Sequence, residues 1–173
     1  MACELITLGR LEGCKDQVGG LAAIYFINHG AAGGWATGAN GEISAPVSST
    51  PAAFKYDLRG TSTFEQSLTS SRENGTTYAE QTLTVSLKAQ DATTHKQVKL
   101  LAYGRPHIII EDNNGKLWVM GSEHGAEMTA TVSTGAAMGD KTGYELTFAA
   151  MEAELAPFYT GVPATDFSVT VGA

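Results

Sequence analysis

The chain has 173 residues, and its 18 acidic and 11 basic side chains give a formal net charge of −7. Such a chain lacks the basic stripe that neutralises phosphates, which argues against tight binding of nucleic acid. Charged residues make up only 17%, whereas glycine, alanine and threonine number 20, 24 and 20. The length predicts one domain over residues 1–173, with a glycine-rich loop at about 30–51.

The N-terminal region predicts neither a cleaved signal peptide nor a membrane span. Glu4 and Glu12 stand where a signal peptide needs positive charge and apolar residues, and the longest apolar run, 21–27, is too short to cross a bilayer. Cys3 and Cys14 are too few for a disulfide scaffold and lack the spacing of a zinc site. We therefore expect reduced thiols in a protein made in the cytoplasm, without membrane insertion.

The first half of the chain carries several strand signals. Leu21–Asn28 is an apolar run bounded by glycines, which predicts a buried strand. Ala31–Gly41 is rich in glycine and predicts a loop. Alternation of apolar and polar residues predicts strands at Phe54–Arg59 and, less regularly, at Thr63–Ser70.

The longest alternating pattern runs from Thr76 to Ala89. Successive side chains of a strand point to opposite faces, so this pattern predicts one face on a core and the other in water. The apolar set is Ala79, Leu83, Val85 and Leu87, interrupted by Gln81, and the polar set is Glu80, Thr82, Thr84, Ser86 and Lys88.

One segment has helical periodicity. Asp91 is a favourable N-cap for a helix over Ala92–Tyr103, and Gly104 and Pro106 end that helix. The basic residues of this segment favour its C-terminal half, as the helix dipole prefers.

The second half of the chain predicts further strands. His107–Asp112 and Lys116–Gly121 flank Asn113-Asn114-Gly115, which predicts a hairpin with a tight type I′ turn. Additional strands are predicted at Glu127–Ser133, Tyr144–Met151 and Asp166–Val171. The fold class is therefore mainly β, an antiparallel β-sandwich or partial barrel with one flanking α-helix at about 92–103.

The candidate residues for catalysis or for cofactor binding do not have the spacing that the known motifs require. The segment 9–16 lacks the spacing and the hydroxyl of a phosphate-binding loop. Glu111 and Asp112 are neighbours on a strand, so they point to opposite faces and do not share a reacting centre. The four histidines, His29, His95, His107 and His124, are scattered without helical spacing or a nearby cysteine. We expect no enzyme activity, no cofactor and no metal site.

The two tryptophans predict different environments. Trp118 lies in a predicted strand and is expected in the core. Trp35 lies in the glycine-rich loop and is a candidate anchor for a partner. Aromatic residues make up 8% and do not cluster, which disfavours a carbohydrate-binding face.

The stretch from about Glu80 to Glu154 resembles the tail tube proteins of tailed bacteriophages. The resemblance rests on a long alternating strand, a short helix, the hairpin HIIIEDNNGKLWVMG and the pattern TG…GD..GY.LTF…E, which ends in ELTFAAMEAE. The opening CKD.VGG…IYFIN around Cys14–Asn28 is similar to the start of such virion proteins. The segment Gly30–Pro51 has no counterpart in this pattern.

This resemblance implies a virion protein that forms rings, commonly of six copies, which stack into a tube for DNA passage. Catalysis and cofactors are not implied, and the partners are copies of the same chain and other phage tail proteins. The tube would reside in the phage tail after synthesis in the host cytoplasm. The residues expected to line the lumen are Glu80, Thr82, Thr84 and Ser86, and the expected inter-subunit contacts are Trp35, Phe64 and Leu68.

Two alternatives remain open at this point. A head–tail connector ring or a capsid decoration protein has the same small-residue β composition and differs in copy number. A carbohydrate-binding β-sandwich module is more remote and requires exposed aromatic residues on one face.

Overall fold

A computed structural model of the chain describes residues 6–172, so Cys3 and Glu4 lie outside the described residues. Strands account for most of the regular structure, which confirms the predicted mainly β class. The strands are β1 (Leu21–Ile27), β2 (Trp35–Thr37), β3 (Ile43–Pro46), β4 (Ala52–Asp57), β5 (Thr63–Ser71), β6 (Thr76–Lys88), β7 (His107–Asp112), β8 (Leu117–Met120), β9 (Glu127–Ser133), β10 (Gly143–Glu152) and β11 (Ser168–Val171). The helices are α1 (Ala92–Tyr103) and α2 (Pro163–Asp166).

The strands form three sheets. A five-stranded central sheet has the order β11-β4-β1-β7-β8, a four-stranded outer sheet has the order β5-β6-β10-β9, and β2 pairs with β3. All neighbouring strands are antiparallel except β11, which runs parallel to β4. A sandwich-like arrangement results, with this one parallel pair as a departure from the predicted antiparallel pattern.

β1 is buried on both faces, which explains its continuous apolar sequence. Ile24 and Phe26 point into a core shared with the outer sheet. Tyr25 and Ile27 point the other way, into a second core covered by β3 and the C-terminal segment. The central sheet is therefore the middle of three layers, and a strand in that position needs apolar residues of both parities.

The larger core lies between the central and outer sheets. Most of its side chains are inward-facing residues of β1, β6, β7, β8 and β10, and burying a large apolar side chain contributes about 1.5–3 kcal/mol. Fully buried members include Ile24, Leu83, Val85, Ile108, Ile110, Met120, Leu146 and Phe148.

Helix α1 matches the predicted range at both ends. The Asp91 carboxylate accepts hydrogen bonds from the Thr94 hydroxyl and from the backbone N–H groups of Thr93 and Thr94. The hydroxyl bond first, and then the backbone bonds, hold the pKa of that carboxyl below its usual range. Val98 packs into the larger core, which ties the helix to the sandwich.

The C-terminal region contains a second helix, α2, that the periodicity did not predict. α2 has only four residues and begins at Pro163, so it is too short to show a 3.6-residue pattern. The Asp166 carboxylate accepts hydrogen bonds from the Val162 N–H at 2.7 Å and from the Tyr159 hydroxyl at 2.7 Å. Burial and this carboxylate raise the pKa of Tyr159 above its usual range.

Two local predictions are wrong. The glycine-rich segment contains the β2–β3 hairpin rather than only a loop, because each of its strands is too short to show alternation. The β7–β8 turn is not type I′, since Gly115 has a positive φ of 76° whereas Asn114 does not. The Asp112 carboxylate accepts hydrogen bonds from the N–H groups of Asn114 and Lys116, which stabilises a longer turn with glycine in the left-handed position.

Candidate functional site

The outer sheet exposes a polar face on the side opposite the larger core. On β6, the predicted lumen residues Glu80, Thr82, Thr84 and Ser86 are exposed or half-buried, whereas alternate residues are fully buried. The structure therefore places all four side chains on one face, as the alternation predicts.

Strand register extends this face across the sheet. Thr84 lies beside Thr63 on β5 and beside Thr147 on β10, and Thr147 lies beside Thr129 on β9. Four threonines thus form one row across four strands. Threonine suits this position because its branched Cβ packs on a pleated surface while its hydroxyl remains in water.

Parallel rows carry carboxylates and further hydroxyl groups. Thr82 lies between Glu65 and Ala149, and Glu127 is the next neighbour of Ala149. Ser86 lies beside Glu145. We call this surface the polar face, and it consists of Thr63, Glu65, Ser67, Thr69, Tyr78, Glu80, Thr82, Thr84, Ser86, Glu127, Thr129, Thr131, Glu145, Thr147, Ala149 and Met151.

The polar face is acidic. Its charged side chains are the carboxylates Glu65, Glu80, Glu127 and Glu145, and none of them forms an ion pair among residues 6–172. Lys88 lies at the end of β6 on the same side as Ser86 and supplies a single positive charge at the margin. Uncompensated carboxylates on one surface produce a negative potential over it.

Neither edge of the outer sheet pairs with a further strand within the described part of the chain, although α1 packs near β9. We call these two edges open because their outward backbone groups have no strand partner among residues 6–172. β5 pairs only with β6, and β9 pairs only with β10. Proteins usually protect such edges with proline or lysine, yet β5 and β9 contain neither. Because the four strands alternate in direction, β5 and β9 run antiparallel to each other, so one copy's β5 can pair with another copy's β9 without breaking the antiparallel order.

The edge of the central sheet at β8 is covered, in contrast. The Val119 N–H donates to the Pro157 carbonyl at 2.9 Å, and the Tyr159 N–H donates to the Leu117 carbonyl at 2.8 Å. The segment 157–159 therefore occupies the backbone groups of β8. The central sheet therefore has one covered edge, at β8, while its other edge strand, β11, pairs only with β4 in the described residues.

The three predicted inter-subunit residues occupy different environments. Trp35 lies in β2 rather than in a loop, and its indole N–H donates to the Ser122 carbonyl at 2.8 Å, so its polar group is already satisfied within the chain. Phe64 is half-buried against the larger core, with its ring 6.2 Å from that of Trp118. Leu68 is 54% exposed on the edge strand β5.

Trp118 differs from its prediction as a core residue. Its ring is half-buried and lies 5.5 Å from the Phe158 ring, which is itself exposed. Trp118 was expected to be fully enclosed by the core. It packs instead on Phe158 of the segment 157–159, which runs along β8.

Most of the polar face could not be predicted from the sequence. Thr63, Thr129 and Thr147 belong to the same row as Thr84, but their side-by-side arrangement depends on register. Polar alternation in each separate strand was the available signal, and it does not reveal which strands are neighbours.

Both helices of the described residues are too short to span a membrane. A scan against protein-family models and searches of curated proteins and of solved structures found no match to the chain.

Proposed function

We propose that this protein is a structural subunit of a bacteriophage tail tube, in which copies pair through the outer sheet and the polar face lines a channel for DNA. The observation that carries the proposal is the continuous acidic, hydroxyl-rich face bounded by two open edges. No catalytic step is required of such a subunit.

Edge pairing favours a closed ring. The β5 edge of one copy would pair with the β9 edge of the next, which is a head-to-tail contact, and head-to-tail contacts generate rings when the rotation closes. Every open edge of the outer sheet is then satisfied, as in a barrel.

The dimensions of such a ring suit DNA passage. Six copies of a four-stranded sheet would give about 24 strands, and with strands about 4.8 Å apart and tilted by about 40° the barrel would be roughly 48 Å across. After side chains on both walls are subtracted, the channel still admits a DNA duplex.

The chemistry of the polar face favours sliding over binding. DNA is held by basic groups that neutralise its phosphates, and this face offers carboxylates and hydroxyls. Repulsion between carboxylates and phosphates extends about 8–10 Å at physiological ionic strength, so it acts near the wall of the channel. The duplex would be kept from adhering to the wall.

A head–tail connector is the second candidate, favoured by the same open edges. A connector would form a single ring, whereas a tube protein stacks rings. The carbohydrate-binding alternative requires several exposed aromatic residues on one face, whereas the polar face carries a single one, Tyr78, among its residues defined above.

The direct test is assembly of purified protein, followed by negative-stain electron microscopy and light scattering. Rings that stack into tubes are expected. Persistent monomers at every concentration would contradict the proposal, and isolated rings without stacking would favour the connector.

Edge-blocked variants test the mode of pairing. Ala130→Pro on β9 and Leu68→Pro on β5 each remove a backbone N–H that points to an open edge, and each variant alone should fail to form rings. A mixture of the two should form a one-to-one dimer, because one intact β5 and one intact β9 remain. Ala130→Val and Leu68→Val serve as matched controls that retain assembly.

Circular dichroism first establishes that each proline variant is folded. If one of them is not, Thr131→Lys or Ser67→Lys replaces it, since a charge on the edge also disfavours pairing. Ring formation by both folded edge-blocked variants would refute pairing through β5 and β9.

A further inference from the structure

A cluster of three metal-ligating side chains lies away from the polar face. Glu123 and His124 belong to the turn between β8 and β9, and Glu152 ends β10. One ligand atom from each side chain can be chosen so that all three lie within 4.8 Å of one another. Residues from two sheets thus converge on one point.

Glu152 is held rigidly at the base of this cluster. The residue is only 5% exposed, and its Oε1 accepts hydrogen bonds from the backbone N–H groups of Glu123 at 3.1 Å and His124 at 2.9 Å. Its Oε2 is directed at His124. A carboxylate fixed in this way by two amides is a pre-oriented ligand, because the supporting hydrogen bonds leave the other oxygen available.

The imidazole of His124 completes a pair with that oxygen. His124 Nδ1 lies 2.8 Å from Glu152 Oε2, and the His124 side chain is 67% exposed. Two ligands of a tetrahedral zinc ion, each bonded at about 2.0–2.2 Å, lie little more than 3 Å apart. A small outward rotation of the exposed ring would therefore admit an ion between the two atoms.

Glu123 supplies a second carboxylate. Its side chain forms no hydrogen bond or ion pair with another side chain among residues 6–172, so it can turn toward the ion without breaking a contact. The hydrogen bond to Glu152 and the charge of that carboxylate raise the pKa of His124, and the Arg105 guanidinium opposes this only weakly. The cluster keeps a net negative charge when the imidazole is neutral, which is the form that ligates metals.

We propose that Glu123, His124 and Glu152 bind one divalent transition-metal ion of the zinc class, with water completing the coordination. One imidazole nitrogen with two carboxylate oxygens matches the preference of zinc, whereas calcium and magnesium prefer oxygen ligands alone. The bound ion fastens the β8–β9 turn to the end of β10. This proposal does not depend on ring assembly.

The neighbouring histidines define the main competing site. Glu123 and Glu152 also border a cleft of about 560 Å³ that is lined by His29 and His107. His107 Nδ1 is bonded to the Gly121 carbonyl and its Nε2 accepts from the Gly30 N–H at 3.4 Å, so both of its nitrogens are occupied. His29, with its ring 4.9 Å from that of His107, is the alternative ligand to exclude.

The test measures binding of Zn²⁺ by calorimetry and binding of Co²⁺ by its visible absorption. The wild-type chain is expected to bind one ion, and His124→Asn and Glu123→Gln should each weaken binding by about tenfold or more. His95→Asn on α1 and Glu127→Gln on the polar face are matched controls that should bind as the wild type does. Zn²⁺ should raise the melting temperature of the wild type and of both controls, but not that of His124→Asn.

Several results would overturn the assignment. Absence of saturable Zn²⁺ binding to the folded wild-type chain would refute it, as would unchanged affinity in folded His124→Asn. Loss of binding in His29→Asn with retention in His124→Asn would move the site to the cleft. Because these variants change exposed side chains, circular dichroism is expected to show wild-type folding.

Discussion

Gln81 provides a sharp test of how the two sheets are joined. It is the single polar interruption in the apolar face of β6, and it is fully buried. The Gly121 N–H donates to Gln81 Oε1 at 3.1 Å, and Gln81 Nε2 donates to the Glu154 carbonyl at 3.4 Å. Gln81→Leu would complete the apolar alternation while removing both hydrogen bonds.

The magnitude follows from the partners left behind. Gly121 is buried, so its unpaired N–H costs about 1–3 kcal/mol. The bond to Glu154 is long and that residue is exposed, so its carbonyl can turn to water at little cost. The buried leucine side chain, which has a similar volume, adds apolar surface that stabilises the folded chain by about 1 kcal/mol. The net expectation is a loss of up to about 2 kcal/mol, centred near 1 kcal/mol, in the free energy of unfolding.

The assay is urea denaturation followed by circular dichroism, at protein concentrations over which the midpoint is constant. Thr82→Val, on the opposite face of the same strand, is the matched control and should change stability by less than about 0.5 kcal/mol. A Gln81→Leu chain as stable as the wild type, or more stable, would refute the reasoning. It would mean that the Gly121 N–H finds another partner.

Two further predictions concern the polar face and a buried turn. Glu80→Lys should make assembled tubes retain duplex DNA in a salt-sensitive manner, because the lysine attracts phosphates. Glu12→Lys changes the charge by the same amount and should not cause retention. Equal retention by both variants would contradict the channel assignment. Gly125→Ala should destabilise the chain by about 2 kcal/mol more than Gly75→Ala in urea denaturation. Both glycines have positive φ, but a Cβ at Gly125 would meet the Arg105 carbonyl oxygen, whereas a Cβ at Gly75 would meet open space. Equal losses of stability in the two variants would show that the turn at Gly125 relaxes.

Local signals in the sequence were sufficient for several elements. Helix α1 has the predicted bounds because Asp91 begins it and Gly104 ends it, and both act within one turn of the helix. The outward position of Thr82 and its neighbours follows from the two-residue period of β6. Such features depend on a few adjacent residues.

Features that depend on distant pairing could not be predicted in the same way. The parallel contact of β11 with β4 joins Ser168 to Ala52, and no local pattern distinguishes it from an antiparallel one. The metal-ligating cluster joins Glu152 to His124, whose spacing in the sequence matches no metal motif. The Trp118 ring packs on Phe158 of a remote segment, and no local pattern indicates that contact.

The separation of the two faces of β6 also bears on how the protein can change over evolutionary time. Substitutions at Leu83 or Val85 disturb the packed core and are penalised by lost stability. Substitutions at Glu80 or Thr84 touch mainly solvent and are nearly free of that penalty. Selection can therefore adjust the charge of this surface while the domain keeps its fold.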